Sequence, residues 1–312
     1  MPFVLFVLFS VLLLIVVSGG YTFFTACRRR KELPWLDEEQ MKKTTYAQFY
    51  PYILQGDRWL SEHNAQDVYI KNADGLRLHA FWIPAENPKG TILLAHGYRS
   101  NMRADFSMVF DFYHNLGLNL LVPHQRAHGE SQGKYITFGV KESADMLQWI
   151  EFHNRRFGKH QMILSGLSMG ASTVLYLADQ PLPENVKGII ADCGFTKPSQ
   201  IISHVFRRVV HLPAGPTILS ADLFARIFAG FSLFEKDTIE SLSKTKLPIF
   251  LVHGAADGFV PCEMTIQGHN VCTGEKTVLI VDDADHALSF LKEQEKYKNM
   301  VCAFLETNLQ GF

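Results

Sequence analysis

Six short, unbroken apolar runs constrain this chain more than any other feature. They are TILLAHG (91–97), LNLLVPH (118–124), MILSG (162–166), VKGIIAD (186–192), LPIFLVHG (247–254) and KTVLIVDDA (276–284). A strand that is apolar at successive positions must be covered on both faces, which is the situation of a strand inside a parallel sheet. Between the runs lie stretches with helical spacing of apolar residues: 102–117, 140–158, and a segment from Met169 to about Asp179. Strands alternating with helices in this way predict an α/β architecture, a mostly parallel sheet with helices on both faces. Ahead of it, two β-rich runs flank Asp74-Gly75, a hairpin signal. There Leu76, Leu78, Ala80 and Trp82 alternate with Arg77, His79 and Phe81, the pattern of a half-buried strand.

Two segments stand outside the alternation. Residues 196–244 fall between two strands and contain none, which predicts a helical cap inserted before the penultimate strand. Ile202, Val205, Phe206 and Val209 are expected on one face of its first helix, and a phenylalanine-rich stripe at 224–234 either packs or lines an acyl pocket. The second segment is the N-terminus, which carries no charged side chain before Arg28-Arg29-Arg30-Lys31. As a helix, about 26 residues span roughly 39 Å, more than the ~30 Å of a bilayer core. A signal peptide carries positive charge before its apolar stretch, whereas here the charge follows. The chain therefore divides into a transmembrane anchor (1–27), a partly helical juxtamembrane connector (28–66) and a folded domain (67–312). The positive-inside rule puts that domain in the cytoplasm; an inverted anchor or an atypical signal peptide are the alternatives. A net charge of −1 leaves no electrostatic footprint for nucleic acid. Five widely spaced cysteines without a C-x-x-C pair suggest free thiols and no zinc site.

The chemistry centres on LSGLSMGAS (164–172), where a strand gives way to a helix. A serine in so tight a turn needs small neighbours two residues away on each side, and Gly166 and Gly170 flank Ser168. The turn aims the Ser168 hydroxyl beyond the carboxyl edge of the sheet and presents the Met169 N–H to developing negative charge. A serine needs a base. His286 follows the last strand and is the candidate. Asp257, in the loop after the preceding strand, is the candidate orienting carboxylate; Asp192 is the alternative, and Asp282, Asp283 and Asp285 are too near His286 in sequence. The order Ser168, Asp257, His286 is that of a nucleophile-elbow hydrolase. The second oxyanion donor is expected at the Tyr98 N–H, in the loop after TILLAHG. His96 is read as a prop for that loop, and QRAHGESQG (125–133) as the floor of the site.

Together GLSMG, AHGYRS, HQRAHGESQG, DCGFT, HGAADGFVP and DADHALS, in that order, resemble the α/β-hydrolase fold. They are most similar to its serine aminopeptidase and prolyl-oligopeptidase-like branch, including membrane-anchored bacterial members of unassigned substrate. The resemblance covers residues 67–310 and implies a Ser168–Asp257–His286 triad, backbone oxyanion donors at Tyr98 and Met169, and no metal or organic cofactor. It implies acyl transfer to water but no particular substrate, since the branch holds esterases, peptidases, thioesterases and acyltransferases. The apolar cap favours a small-molecule acyl ester. A peptidase would want a cap acid for a free amino terminus, and Asp222 and Glu235 are available. A membrane-tethered binding protein on an inactive hydrolase fold is the reading from a different class. Oligomeric state is not legible.

Overall fold

The computed structural model describes residues 1–31, 33–44 and 47–312. Helix α1 (Pro2–Cys27) carries proline in its first turn, where the missing N–H has no helical partner to lose. The connector holds helices α2 (Glu38–Met41) and α3 (Tyr50–Glu62). It is no loose tether: Met41 and Ile53 are fully buried, in a small cluster with Trp35 and Ala104.

Strands β1 (Gln66–Lys71) and β2 (Arg77–Ile83) form the antiparallel hairpin. Asn72 closes it by accepting the Leu76 N–H at 2.8 Å. β2 departs from the half-buried alternation, because β4 pairs with its other side and buries His79 completely. The His79 ring is held between His124 and Asp67, each at 2.8 Å. The alternating units then follow: β3 (Gly90–Ala95), α4 (Met102–Phe106), α5 (Phe110–Asn115), β4 (Leu118–Pro123), α6 (Val140–Arg156), β5 (Met162–Leu167), α7 (Met169–Leu175) and β6 (Val186–Asp192). The helix predicted over 102–117 is two helices, with a step at Ser107, against which Gly56 of α3 packs. After β6 the cap contributes α8 (Pro198–Val210), α9 (Gly215–Phe224) and α10 (Thr238–Leu242). The domain ends with β7 (Ile249–Gly254), α11 (Glu263–Val271), β8 (Lys276–Val281), α12 (Ser289–Lys292) and α13 (Gln294–Asn308).

The eight strands form one sheet in the order β1-β2-β4-β3-β5-β6-β7-β8, parallel from β4 to β8. Successive residues of β3 feed two separate cores: Ile92 and Leu94 pack with Phe110, Tyr113 and Phe304, and Leu93 and Ala95 with Trp149 and Leu251. That double coverage is why the strands read as unbroken apolar runs. Each such buried aliphatic contributes about 1.5–3 kcal/mol. The carboxyl ends of β3, β5, β6, β7 and β8 all open on the same edge, where the loops carrying Tyr98, Ser168, Asp192, Asp257 and His286 meet.

Candidate active site

Ser168 joins β5 to α7 with φ 55° and ψ −116°, a conformation that side-chain-bearing residues rarely adopt. Its N–H donates to the Asp192 carbonyl at 2.8 Å, tying the elbow to β6. The flanking glycines are required by clearance. A Cβ on Gly166 would run into the Gly170 carbonyl, and one on Gly170 into the Ala95 carbonyl. The helix therefore sits close enough to the sheet to hold the serine in its strained turn.

The His286 Nε2 lies 2.9 Å from Ser168 Oγ, and its Nδ1 lies 2.7 Å from Asp257 Oδ2. Because Oδ2 is a carboxylate oxygen, Nδ1 carries the proton and Nε2 is the acceptor facing the serine hydroxyl. Asp257 Oδ1 accepts the Phe259 and Val260 N–H groups, both at 2.8 Å. Oδ2 also takes His253 Nε2 at 3.1 Å. That second histidine turns Nε2 toward two acceptors, Asp257 and the Val260 carbonyl, while Nδ1 meets the Thr265 hydroxyl at 2.6 Å. Burial disfavours the charged Asp257, but hydrogen bonds from His253 and His286, the His286 charge and the Val260 N–H outweigh it. Its carboxyl is held well below the ordinary carboxylate range. His253 was not singled out as an Asp257 partner from sequence; its position four residues before Asp257, at the end of β7, is the signal that marks it.

Asp192 is also buried, but one oxygen has no hydrogen-bond partner among the described residues. Burial, opposed by the charges of His253 and His286, pushes its carboxyl up to about 6. It serves the elbow through its backbone carbonyl, and among the described residues it is Asp257 that bonds to His286.

The loop after β3 is braced from below. His96 Nδ1 donates to the Gly97 carbonyl at 2.9 Å, and Nε2 accepts the Gln125 N–H at 3.0 Å. Burial lowers this imidazole to about 4, so it is neutral at physiological pH. His128 accepts the Arg99 N–H at 3.0 Å in the same manner. Asp105 accepts the Gly97 N–H and the Ser100 hydroxyl, both at 2.5 Å. The N–H groups of Tyr98 and Met169 have no hydrogen-bond partner among the described residues. Cys193 and Phe195 are buried in the core.

A cleft of about 1020 Å³ covers Ser168 and His286. Val205 and Val209 line it from α8, and Phe259 packs its ring 5.1 Å from that of His286. Val209, expected on the same helix face as Ile202 and Val205, is 73% exposed. The phenylalanine stripe packs elsewhere. Phe224 and Phe228 stack on Phe23 of α1 at 6.5 and 6.2 Å, and Phe231 is buried. Asp222 is engaged by Ser232, Leu233 and Arg226, and Glu235 by the Ser232 N–H.

Residues 90–215 match the model of the α/β-hydrolase fold family. The uncharacterized Bacillus subtilis protein YqkD is 26% identical over 238 residues, covering 76% of this chain and 78% of its own. A Saccharomyces cerevisiae membrane protein, also uncharacterized, is 26% identical over 137 residues, 43% of this chain and 46% of that one. Among solved structures, an esterase of Pyrococcus furiosus superposes with a TM-score of 0.64 at 23% identity, covering 80% of this chain and 94% of the esterase. The chain has the α/β-hydrolase fold: a mostly parallel sheet, helices on both faces, and ahead of them an N-terminal helix long and apolar enough to cross a membrane.

Proposed function

We propose that the chain is a membrane-anchored serine hydrolase that cleaves a carboxylic ester through an acyl-enzyme on Ser168. The observation that carries this reading is the continuous hydrogen-bond chain from Ser168 Oγ through His286 to Asp257, at 2.9 and 2.7 Å. His286 Nε2 takes the hydroxyl proton as Ser168 Oγ attacks the carbonyl carbon. The oxyanion is held by the Tyr98 and Met169 N–H groups. Asp257 keeps Nδ1 protonated and stabilises the imidazolium. The proton passes to the departing alcohol, and water, activated by His286, releases the acid. No metal or organic cofactor enters these steps. The esterase fold neighbour is consistent with this chemistry.

An aminopeptidase is the second reading from the same branch. It wants a free carboxylate in the cap facing the serine. Asp222 is taken up by hydrogen bonds from Ser232, Leu233 and Arg226, and Glu235 is exposed and does not line the cleft over Ser168. The ester reading is therefore preferred. Helix α1 acts as a single-pass anchor with the catalytic domain on the side of Arg28–Lys31, the cytoplasmic side by the positive-inside rule.

A fluorophosphonate probe tests the reaction class. The folded protein is expected to label, and Ser168→Ala to abolish labelling; an intact protein that does not label defeats the proposal. A panel of p-nitrophenyl esters against aminoacyl nitroanilides then separates esterase from peptidase. Protease access to the domain in intact and opened cells tests sidedness.

A further inference from the structure

The cleft over Ser168 is lined by five basic side chains: Arg29, Arg30 and Lys31 leaving α1, Arg99 from the loop after β3, and Arg208 from α8. Among the described residues, none of the five pairs with a carboxylate within ion-pair distance. Arg29 donates to the carbonyls of Ser131 and Gly129, both at 2.6 Å. Arg99 donates to those of Thr25 and Ala26, and its buried Nε has no partner. The acids at the cleft are already engaged. Asp105 accepts from Gly97 and Ser100, and Asp285 from the Gly258 and His286 N–H groups. Five cationic side chains against the carboxyl groups of Asp105 and Asp285 leave the cleft an excess of positive charge, which attracts an anionic group.

A second observation fixes where the cleft opens. Helix α9 runs parallel to the last third of α1. Ser18 Oγ meets Thr217 Oγ1 at 3.2 Å, a Cβ on Gly19 would strike Ser220, and Phe23 stacks on Phe224 and Phe228. Counting from Pro2, a ~30 Å hydrocarbon core holds about 20 residues of α1. The start of α9 therefore lies at the core boundary, and Arg29–Lys31 lie among the headgroups. Leu219, Leu223 and Ile227, spaced four residues apart, are 65%, 55% and 66% exposed, and Leu212 just before them 60%. At that depth such a stripe faces acyl chains instead of water.

We infer that the substrate is an acyl ester lipid with an acidic headgroup, taken directly from the bilayer that α1 spans. This rests on Ser168 as nucleophile and α1 as anchor. The cap stripe sits in the bilayer surface and the cleft mouth opens at headgroup level. The acyl chain runs along Val205 and Val209, and the acidic headgroup meets Arg30, Lys31 and Arg208. Ser168 Oγ bonds to the ester carbonyl carbon and the carbon–oxygen bond to the headgroup alcohol breaks. That alcohol leaves with the proton held on His286, and water then releases the fatty acid.

The test uses the full chain reconstituted into vesicles of dioleoyl phosphatidylcholine or dioleoyl phosphatidylglycerol, with oleate release measured by mass spectrometry. Release from the acidic lipid is expected to be about tenfold faster. The double variant R30Q/R208Q is expected to bring the two lipids to equal rates. The triple variant L219E/L223E/I227E is expected to lower oleate release at least tenfold relative to its own rate on soluble p-nitrophenyl butyrate, a ratio that cancels any loss of folded enzyme. Equal wild-type rates on the two lipids, or a ratio that the triple variant leaves unmoved, overturn the inference. Absence of p-nitrophenyl butyrate turnover and of fluorophosphonate labelling would instead strike the Ser168 reading. Recovery of the chain in the soluble fraction would strike the anchor.

Discussion

Asp257→Asn tests the site through the number of acceptors that a carboxylate offers. Asp257 accepts four hydrogen bonds, from the Phe259 and Val260 N–H groups on one oxygen and from His253 and His286 on the other. Asparagine keeps the shape but has one acceptor oxygen and an NH₂ group. Two fixed backbone donors claim the oxygen, so the NH₂ turns toward His253 and His286. The Nδ1 of His286 must then become an acceptor, and the ring's proton moves to Nε2. In that tautomer Nε2 points a hydrogen at Ser168 Oγ and no longer takes one. Loss of the base through the wrong tautomer lowers kcat by about 10⁴ in a serine triad, or about 5.5 kcal/mol at ~1.4 kcal/mol per decade. His253 keeps the Val260 carbonyl as acceptor at 3.0 Å, so the fold is expected to survive. The assay is kcat on p-nitrophenyl butyrate, with thermal unfolding as the control. A folded variant that retains more than about a tenth of wild-type kcat would refute the assignment of Asp257 as the residue that sets the His286 tautomer.

The remaining predictions concern the groups that hold the site. Asp192 is raised to about 6 by burial against an unfolded value near 4, so ionising it in the fold is unfavourable. Stability is therefore highest below the unfolded value and falls as pH rises through about 6, by roughly 3 kcal/mol. Asp192→Asn removes this penalty; its melting temperature relative to wild type should climb across that interval, and a pH-independent difference would contradict the argument. Gly170→Ala puts a methyl group into the Ala95 carbonyl and is expected to cost more than about 4 kcal/mol, read as loss of soluble folded protein in detergent. Arg126 and Asp145 form a buried bidentate pair at 2.6 and 2.7 Å. Asp145→Ala leaves the buried guanidinium with Asp74 as its one carboxylate partner, at 2.7 Å, and should destabilise by about 3 kcal/mol in denaturant unfolding, whereas a change under about 1 kcal/mol would place that pair in water.

Much of the architecture was legible because its causes are local. Double-sided burial writes itself as unbroken apolar runs, and the elbow as two glycines around a serine. Element lengths were less so. The helix over 102–117 breaks at Ser107 because α3 packs there, and nothing within the segment announces a contact made some fifty residues away. His79 looked like the solvent side of a half-buried strand because alternation does not reveal that β4 covers the far side of β2. Spacing put Val209 on one face with Ile202, Val205 and Phe206 but could not grade their burial: the cap packs through Ile201 and Ile202, Val205 and Phe206 are only partly covered, and Val209 is left exposed at the cleft.

Local sequence by itself determined the α/β class, the position of the cap, the span of the apolar N-terminal helix and the residue types for a serine-histidine-aspartate site. These follow from periodicity, small-residue clearance and chain order, all carried within short windows. Only the tertiary structure decided which groups meet. It joined Asp257, not Asp192, to His286 and added His253 to the same carboxylate. It turned Asp222 inward, left Glu235 exposed, and brought Arg29–Lys31 from the end of α1 over a serine more than 130 residues further on. Those outcomes depend on strand order and on how the cap lies against α1. Contacts between distant segments are set by packing of whole elements, and no local pattern of residues encodes them.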